Sequence, residues 1–449
     1  MASGVRLRLS VMMFLQFFIW GAWFEIGFSY IPNKLLGFSQ LEQNMVFWAF
    51  NVGALVALFF STQFADRMFS AEKFLAFSHL IGGAAILGLF FLHPKPGEKA
   101  DFWPWLFLML LHSLLYVPTI SITNSIAFAN LRDPSRQFGP VRVWGTVGWI
   151  VASWPFIFIL VDWAQVPAMG ELGPIKWLGA ALGTSKSGSD AFDSQRYVFM
   201  VAGLASFLLA GFSFSLPHTP PKKATGEDSL AWLKAMKLLK HPFVLILFIV
   251  TFIDAAVHQS FFFWTYDFLS GPGGVGIPSN WAGAVMKIGQ LAEIVTMLAL
   301  GWVLKTFGWR LTMTLGVLGH AARFAVFAFY PEPWAAITVN VLHGICYAFF
   351  FATVYIFVDE YFPKDVRSSA QGLFNVLILG LGPVAATFAC LELKARFSPG
   401  GVPEYGVVFQ FSMFAGLLGA LILLFFFHPK KAVGQVGFSQ AEADAPPAP

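Results

Sequence analysis

Charge is what this chain has least of. Only 12% of its 449 residues are Asp, Glu, Lys or Arg, about half the share of an ordinary soluble domain. With 57% hydrophobic residues, 53 Phe and 16 Trp, too little polar surface remains to cover a globule in water, so lipid is the solvent for most of the protein. Cysteine is scarce too. Cys346 and Cys390 both stand inside apolar runs, which reads as two small buried hydrophobes rather than a disulfide or a metal site. Also missing are H-E-x-x-H, G-x-x-x-x-G-K-[ST] and a G-x-G-x-x-G after a strand. A membrane enzyme and an ATP-driven pump therefore lose their support, and no cofactor is expected. A net charge of +4 without a basic stripe gives no footing for nucleic-acid binding.

What the chain does have is long apolar stretches. At about 20 residues per crossing, twelve are expected. The first six run at about 9–31, 43–65, 74–92, 103–131, 140–162 and 197–216. The second six run at about 242–268, 279–305, 311–329, 333–362, 369–390 and 405–427. The N-terminus opens basic then apolar, like a signal peptide, but no small-residue cleavage site follows a short core, so it is expected to remain as a first membrane helix. The most polar interior segment, 216–241, opens with prolines and continues as a short basic amphipathic pattern. The expected organisation is an all-α membrane protein: a six-helix bundle over 1–215, a cytoplasmic linker over 216–241, a second six-helix bundle over 242–428, and a disordered tail over 429–449. The Gly/Ser/Lys-rich segment of about 163–195 reads as a solvated connector.

An even number of crossings puts both termini on one face. That face carries 18 Lys and Arg against 8 on the other, and the positive-inside rule makes it cytoplasmic. Corresponding loops of the two halves also echo one another. Asp66-Arg67 after the second crossing matches Lys305, Gly308 and Arg310 after the eighth, and Arg142 with Gly145 matches Arg367 with Gly372. The pattern indicates duplicated bundles, the parallel repeat of the major facilitator fold, with Asp66, Arg67, Lys305, Arg310 and Arg367 in its gating loops.

An ionisable group at membrane depth costs at least about 2.5–3.5 kcal/mol, so each is a functional candidate. They are Glu25, Asp254, His258, Lys287, Glu293, Arg323 and His343. Lys287, Gln290 and Glu293 recur at i, i+3, i+6 and read as one polar stripe, while Asp254 and His258 read as an i, i+4 pair. Lys287 either neutralises Glu25 or Glu293 or binds solute. Arg323 is expected near a helix end, snorkelling or in a structural pair. Single neutral groups such as Gln16 and Thr119 read as interhelical glue, worth about 0.6 kcal/mol each. Trp20, Trp23, Trp149, Phe262 and Tyr347 could sandwich a flat ligand, where stacking brings about 1–3 kcal/mol per base.

These residues together resemble a known family, the nucleoside:proton symporters of the major facilitator superfamily. The likeness is carried by Phe14-Leu-Gln16-Phe with Trp20-Gly-Ala-Trp23, by Pro118-Thr119 with Asn124-Ser-Ile, and by Arg142-Val-Trp144-Gly-Thr146-Val-Gly-Trp149. Further on it is carried by Gly289-Gln290-Leu-Ala-Glu293, Arg323-Phe-Ala and Ser369-Ala-Gln371-Gly372. The resemblance implies nucleoside import with protons, by a monomer in the cytoplasmic (inner) membrane of a bacterium. It implies a solute site at Arg142, Thr146, Trp149, Gln259, Gln290, Glu293, His343 and Tyr347, although the span boundaries put Arg142 near the cytoplasmic end of its helix. The sequence departs from the family at Ala348, where an Asp is usual, at His343 in place of Tyr, at Phe262 in place of Asn, and at the extra acid Glu25. Proton coupling is therefore expected at Glu293 first and Glu25 second, with His343 a further candidate. The same departures motivate an alternative solute: a sugar, an aminosugar or a cell-wall fragment.

Overall fold

A computed structural model describes residues 3–60, 70–221, 236, 238–362 and 364–429. Ten helices among the described residues are long and apolar enough to cross a membrane. One of these, Ser279–Phe329, has 51 residues, about 77 Å of helix at 1.5 Å per residue and more than twice the hydrocarbon thickness. It is two crossings, because Gly308 breaks it at φ 69°, ψ 177°, a conformation that a side chain would strain. Gln40–Phe60 supplies the twelfth crossing.

The first six crossings are α1 (Ser3–Tyr30), α2 (Gln40–Phe60), α3 (Ala71–Phe91), α4 (Phe102–Asn130), α5 (Pro134–Val151, continued by Trp154–Ile159) and α6 (Tyr197–Ser213). Pro242–Ser270 is α7, and α8 and α9 are the parts of Ser279–Phe329 before and after Gly308. Pro333–Tyr361 forms α10, Lys364–Asn375 through Gly382–Arg396 forms α11, and Tyr405–Phe426 forms α12. Two stretches widen to π-helix, Tyr347–Ala352 in α10 and Val376–Leu381 in α11. Such turns cluster at functional sites.

Packing follows the duplicated order. In the first half α1 lies against α5 and α6, α3 against α6, and α2 against α4; in the second, α7 packs on α11 and α12 and α9 on α12. The halves meet along α1 and α7, along α2 and α11, and where the end of α5 meets the start of α8. Buried polar groups inside the first half tie helices together. Gln16 donates to Thr119 Oγ1 at 2.9 Å, and His79 bridges Gln16 Oε1 and Ser206 Oγ, each at 2.9 Å. These are interhelical glue.

The segment after α5 corrects the expectation of a solvated connector. It folds into three short helices, Met169–Leu172, Pro174–Gly183 and Gly188–Gln195, and spans the two halves on the face opposite the chain ends. The carbonyl of Leu182 accepts from Asn280 Nδ2 at 3.1 Å and from Trp281 Nε1 at 2.8 Å, and Ser279 Oγ donates to the Lys186 carbonyl at 2.9 Å. Open carbonyls at helix ends need donors, and here the other half provides them. Nearby, Tyr30 Oη donates to His93 Nδ1 at 2.8 Å while His93 Nε2 donates to Asp193 at 2.9 Å, pinning the last of the three helices.

Candidate functional site

Between the halves lies a cavity of about 530 Å³, within the range of small-molecule sites, about 300–1,000 Å³. Aromatic rings make much of its wall. Trp20 meets Trp149 edge-to-face at 5.2 Å and 89°, Phe24 meets Phe262 at 5.2 Å and 67°, and Phe50 lies 5.2 Å from Trp20. Rings locked this way form a slot suited to a flat solute. Polar groups interrupt it: Asn51, Asn124, Arg142 and Thr146 from the first half, and Gln259, Gln290, Glu293, His343, Tyr355 and Asn375 from the second.

Toward the far face hydrogen bonds join the two halves. Gln40 donates to Glu392 at 3.0 Å, Trp48 Nε1 to Thr387 Oγ1 at 3.2 Å, and Asn51 to the Leu379 carbonyl at 2.9 Å. These bonds, like those of the three short helices after α5, lie away from the chain ends.

The charges at depth fall into three groups. Lys287 Nζ lies 2.9 Å from Glu25 Oε1, both almost wholly buried, and the ammonium also sits over the Trp149 ring at 4.3 Å. That couple joins α1 to α8 beside the cavity. The second is inside the second half: Arg323 bonds His343 Nδ1 and His320 Nδ1, each at 2.9 Å, and His320 Nε2 lies 3.7 Å from Asp254 Oδ2. The third faces the cavity itself. Arg142, whose guanidinium covers the Phe17 ring at 4.0 Å, shares the cavity lining with Glu293 and Tyr347 of the other half.

Known proteins place this geometry. The family described as Nucleoside H+ symporter matches the chain over residues 3–172 and 164–432. The chain belongs to the nucleoside H+ symporter family. YegT of Escherichia coli (strain K12) is 29% identical over 429 residues, covering 93% of this chain and 92% of that protein. The xanthosine permease of the same organism is 27% identical, covering 94% and 96%. A crystal structure of the nucleoside transporter NupG superposes with a TM-score of 0.76 at 22% identity, covering 95% of this chain and all of that one. The fold of this nucleoside H+ symporter family member is the twelve-helix major facilitator fold.

All eight residues anticipated for the solute site line the cavity: Arg142, Thr146, Trp149, Gln259, Gln290, Glu293, His343 and Tyr347. Arg142 reaches it although it belongs to the early turns of α5, because its long side chain lies inward along Phe17. Glu25 does not line the cavity; it is held by Lys287. Two expectations are corrected and a third is decided. Lys287, Gln290 and Glu293 form no common stripe, since Lys287 caps the joint between Ser279–Met286 and Ile288–Phe329 and turns to Glu25. Arg323 takes the structural-pair reading rather than the snorkelling one: it is 0% exposed and bonds His320 and His343. Asp254 faces His320 rather than pairing with His258, whose ring instead stacks on His343 at 5.0 Å. Lys305 is exposed and Arg310 half-buried on either side of Gly308. Asp66, Arg67, the Arg367 side chain, most of 216–241 and the tail from 430 lie outside the described residues. His320 went unremarked in the sequence, although its i, i+3 spacing to Arg323 was there to be read; Tyr355, which bonds Asn375 on the cavity wall, was missed too.

Proposed function

We propose that this chain imports nucleosides together with protons by alternating access, its ends and central linker in the cytoplasm, and that the arrangement described is the inward-facing state. The observation that carries this reading is a ring-walled cavity between the halves with Arg142 of the first half and Glu293 of the second on its lining. The rings stack on the base, while Thr146, Gln259, Gln290 and Tyr347 bind polar edges and hydroxyls, as amides and hydroxyls both donate and accept.

Coupling follows from charge balance at low dielectric. In the empty carrier Arg142 faces ionised Glu293 across the cavity, so the site as a whole carries no net charge when the halves rock. A nucleoside lodged between them draws Arg142 to itself and leaves the carboxylate unpaired, which is costly away from water. Protonation of Glu293 removes that charge while the oxygens of the nucleoside take over the solvation of the Arg142 cation, and the loaded carrier turns only with its proton. Glu25 stands apart from this cycle because Lys287 already compensates it.

Reconstituted protein, offered radiolabelled nucleosides and sugars with and without a pH gradient, tests the reading. Nucleosides should accumulate against their gradient only when the outside is acidic. Uptake of a sugar or aminosugar without uptake of any nucleoside would replace this reading with the alternative solute class.

A further inference from the structure

Where α1 passes α8, the two halves share a pair of opposite charges. Neither Glu25 nor Lys287 lines the solute cavity; their side chains are each 3% exposed, with Nζ 2.9 Å from Oε1. Glu25 precedes Tyr30, the end of α1, by five residues, and Lys287 follows Ser279, the start of α8, by eight. At 1.5 Å per residue the pair stands about 8–12 Å inward from the far-face ends of those helices.

Both sides of the pair are walled. Toward the cavity stands the Trp149 ring, 4.3 Å from the ammonium and set edge-to-face on Trp20. Toward the far face, Asn280 Nδ2 of the second half donates to the Ile157 carbonyl of the first at 3.2 Å. The gap left among Glu25, Ser153, Asn280 and Gly283 is about 10 Å³, at the lower limit for a single water. Water therefore has little room to stand in for either charge's partner.

Removing one member of a buried pair leaves the other uncompensated. Alternating access makes that cost depend on conformation. Glu25 travels with the first half and Lys287 with the second, so a carrier that opens on the far face parts them and gives each to water, where an ion needs no partner. An unmatched charge thus penalises the arrangement described here and not the outward-open one.

We propose that Glu25 and Lys287 form a charge-matching gate: the halves come together on the far face only when both charges, or neither, meet between α1 and α8. The same closure sets the Lys287 ammonium over Trp149, a ring of the cavity wall, so the two are positioning residues for that wall and neither touches solute. The proposal rests on the inward-facing reading above but on no particular solute, and proton coupling stays with Glu293.

The test reads the opening itself. Spin labels go on cysteines at Lys95, between α3 and α4, and at Glu332, between α9 and α10, both exposed, with Cys346 and Cys390 replaced. Double electron–electron resonance in liposomes then gives their separation with no further change, with Glu25→Gln, with Lys287→Gln, and with both. The protein carrying only the labels should show mainly the short distance. Each single variant should raise the ratio of long to short by about a hundredfold or more, the scale of one buried charge left alone. The double variant, whose two amides can bond each other, should return to the short distance. Single variants that keep the short distance overturn the proposal, and so does a double variant as open as the single ones, which would put the effect in packing rather than charge. If neither single variant folds, the double variant decides, since a seam with no charge must close. A long distance before any change at Glu25 or Lys287 defeats the inward-facing reading and this proposal with it, a result distinct from a closed carrier indifferent to the pair.

Discussion

The two acids that compete for proton coupling, Glu293 and Glu25, differ in what faces them. Glu293 has its counter-charge on the other half of the protein, across the cavity, whereas Glu25 has Lys287 at 2.9 Å in a closed environment. Glu293→Gln should therefore abolish pH-driven accumulation while leaving energy-independent exchange of nucleoside across the vesicle, measured by counterflow. Glu25→Gln should act on stability instead. Removing one member of a buried pair leaves its partner uncompensated, at a cost of about 3–5 kcal/mol, so the thermal midpoint in detergent should fall, and Glu25→Gln with Lys287→Met should recover part of it. The residue types at depth were legible in the sequence; their partnerships were not. Three residues turn a helix by about 60° short of a full circle, so Lys287 and Glu293 lie about 120° apart even on an unbroken helix, and the joint at Lys287 separates them further. Spacing alone could not say which face each would take.

Crossing helices were the easiest elements to read, because a run of apolar residues long enough to span lipid has little else it can become. The expected start of the seventh crossing at 242 and of the twelfth at 405 match Pro242 and Tyr405. Helix approach was not legible, since it depends on which small residues meet which backbone. Gly344 of α10 shows this: a Cβ there would overlap the backbone nitrogen of Glu293 on α8. Gly344→Ala should force α8 and α10 apart at the site, costing about 1–3 kcal/mol of stability as an overpacked contact does. Nucleoside affinity should fall as well, because Glu293 and Gln290 would move with α8. Isothermal titration beside a melting curve separates these effects, and unchanged affinity with lowered stability would show that the site tolerates the shift.

In the molecule as a whole, the far-face seam is the part that alternating access must undo. Gln40 of α2 and Glu392 of α11 are hydrogen-bonded across it at 3.0 Å. Cysteines at these two positions, with Cys346 and Cys390 replaced, should cross-link through a short bifunctional thiol reagent. The linked protein should still bind nucleoside but catalyse no net uptake; transport at the unlinked rate would mean that the seam stays closed throughout the cycle. The clasp over the same face also bears on acidity. Burial, only partly offset by Asp193, holds the His93 imidazole below its ordinary value, so the folded state resists protonating it. Its contribution to stability is complete above the ordinary histidine range and declines as the medium is acidified through that range toward the lowered value. Protease sensitivity of the 163–195 segment should therefore rise on acidification, and less so in His93→Gln. Nothing in the composition of that segment announced a clasp, because its hold on the second half is made by backbone carbonyls, which every sequence has.

The two π-helical turns, in α10 and α11, give the halves different mechanical characters. Among the described residues the first half has no π-helical turn, only the break at Ala152-Ser153 in α5, while the second half widens to π-helix in each of two neighbouring helices, with Tyr355 and Asn375 bonded between them. A surplus residue in a helix is slack that can be passed along the axis, turning everything beyond it by about 100° without breaking the helix ends. The first half can then serve as the frame of the carrier and the second as its moving leaf, a shutter that winds as well as tilts.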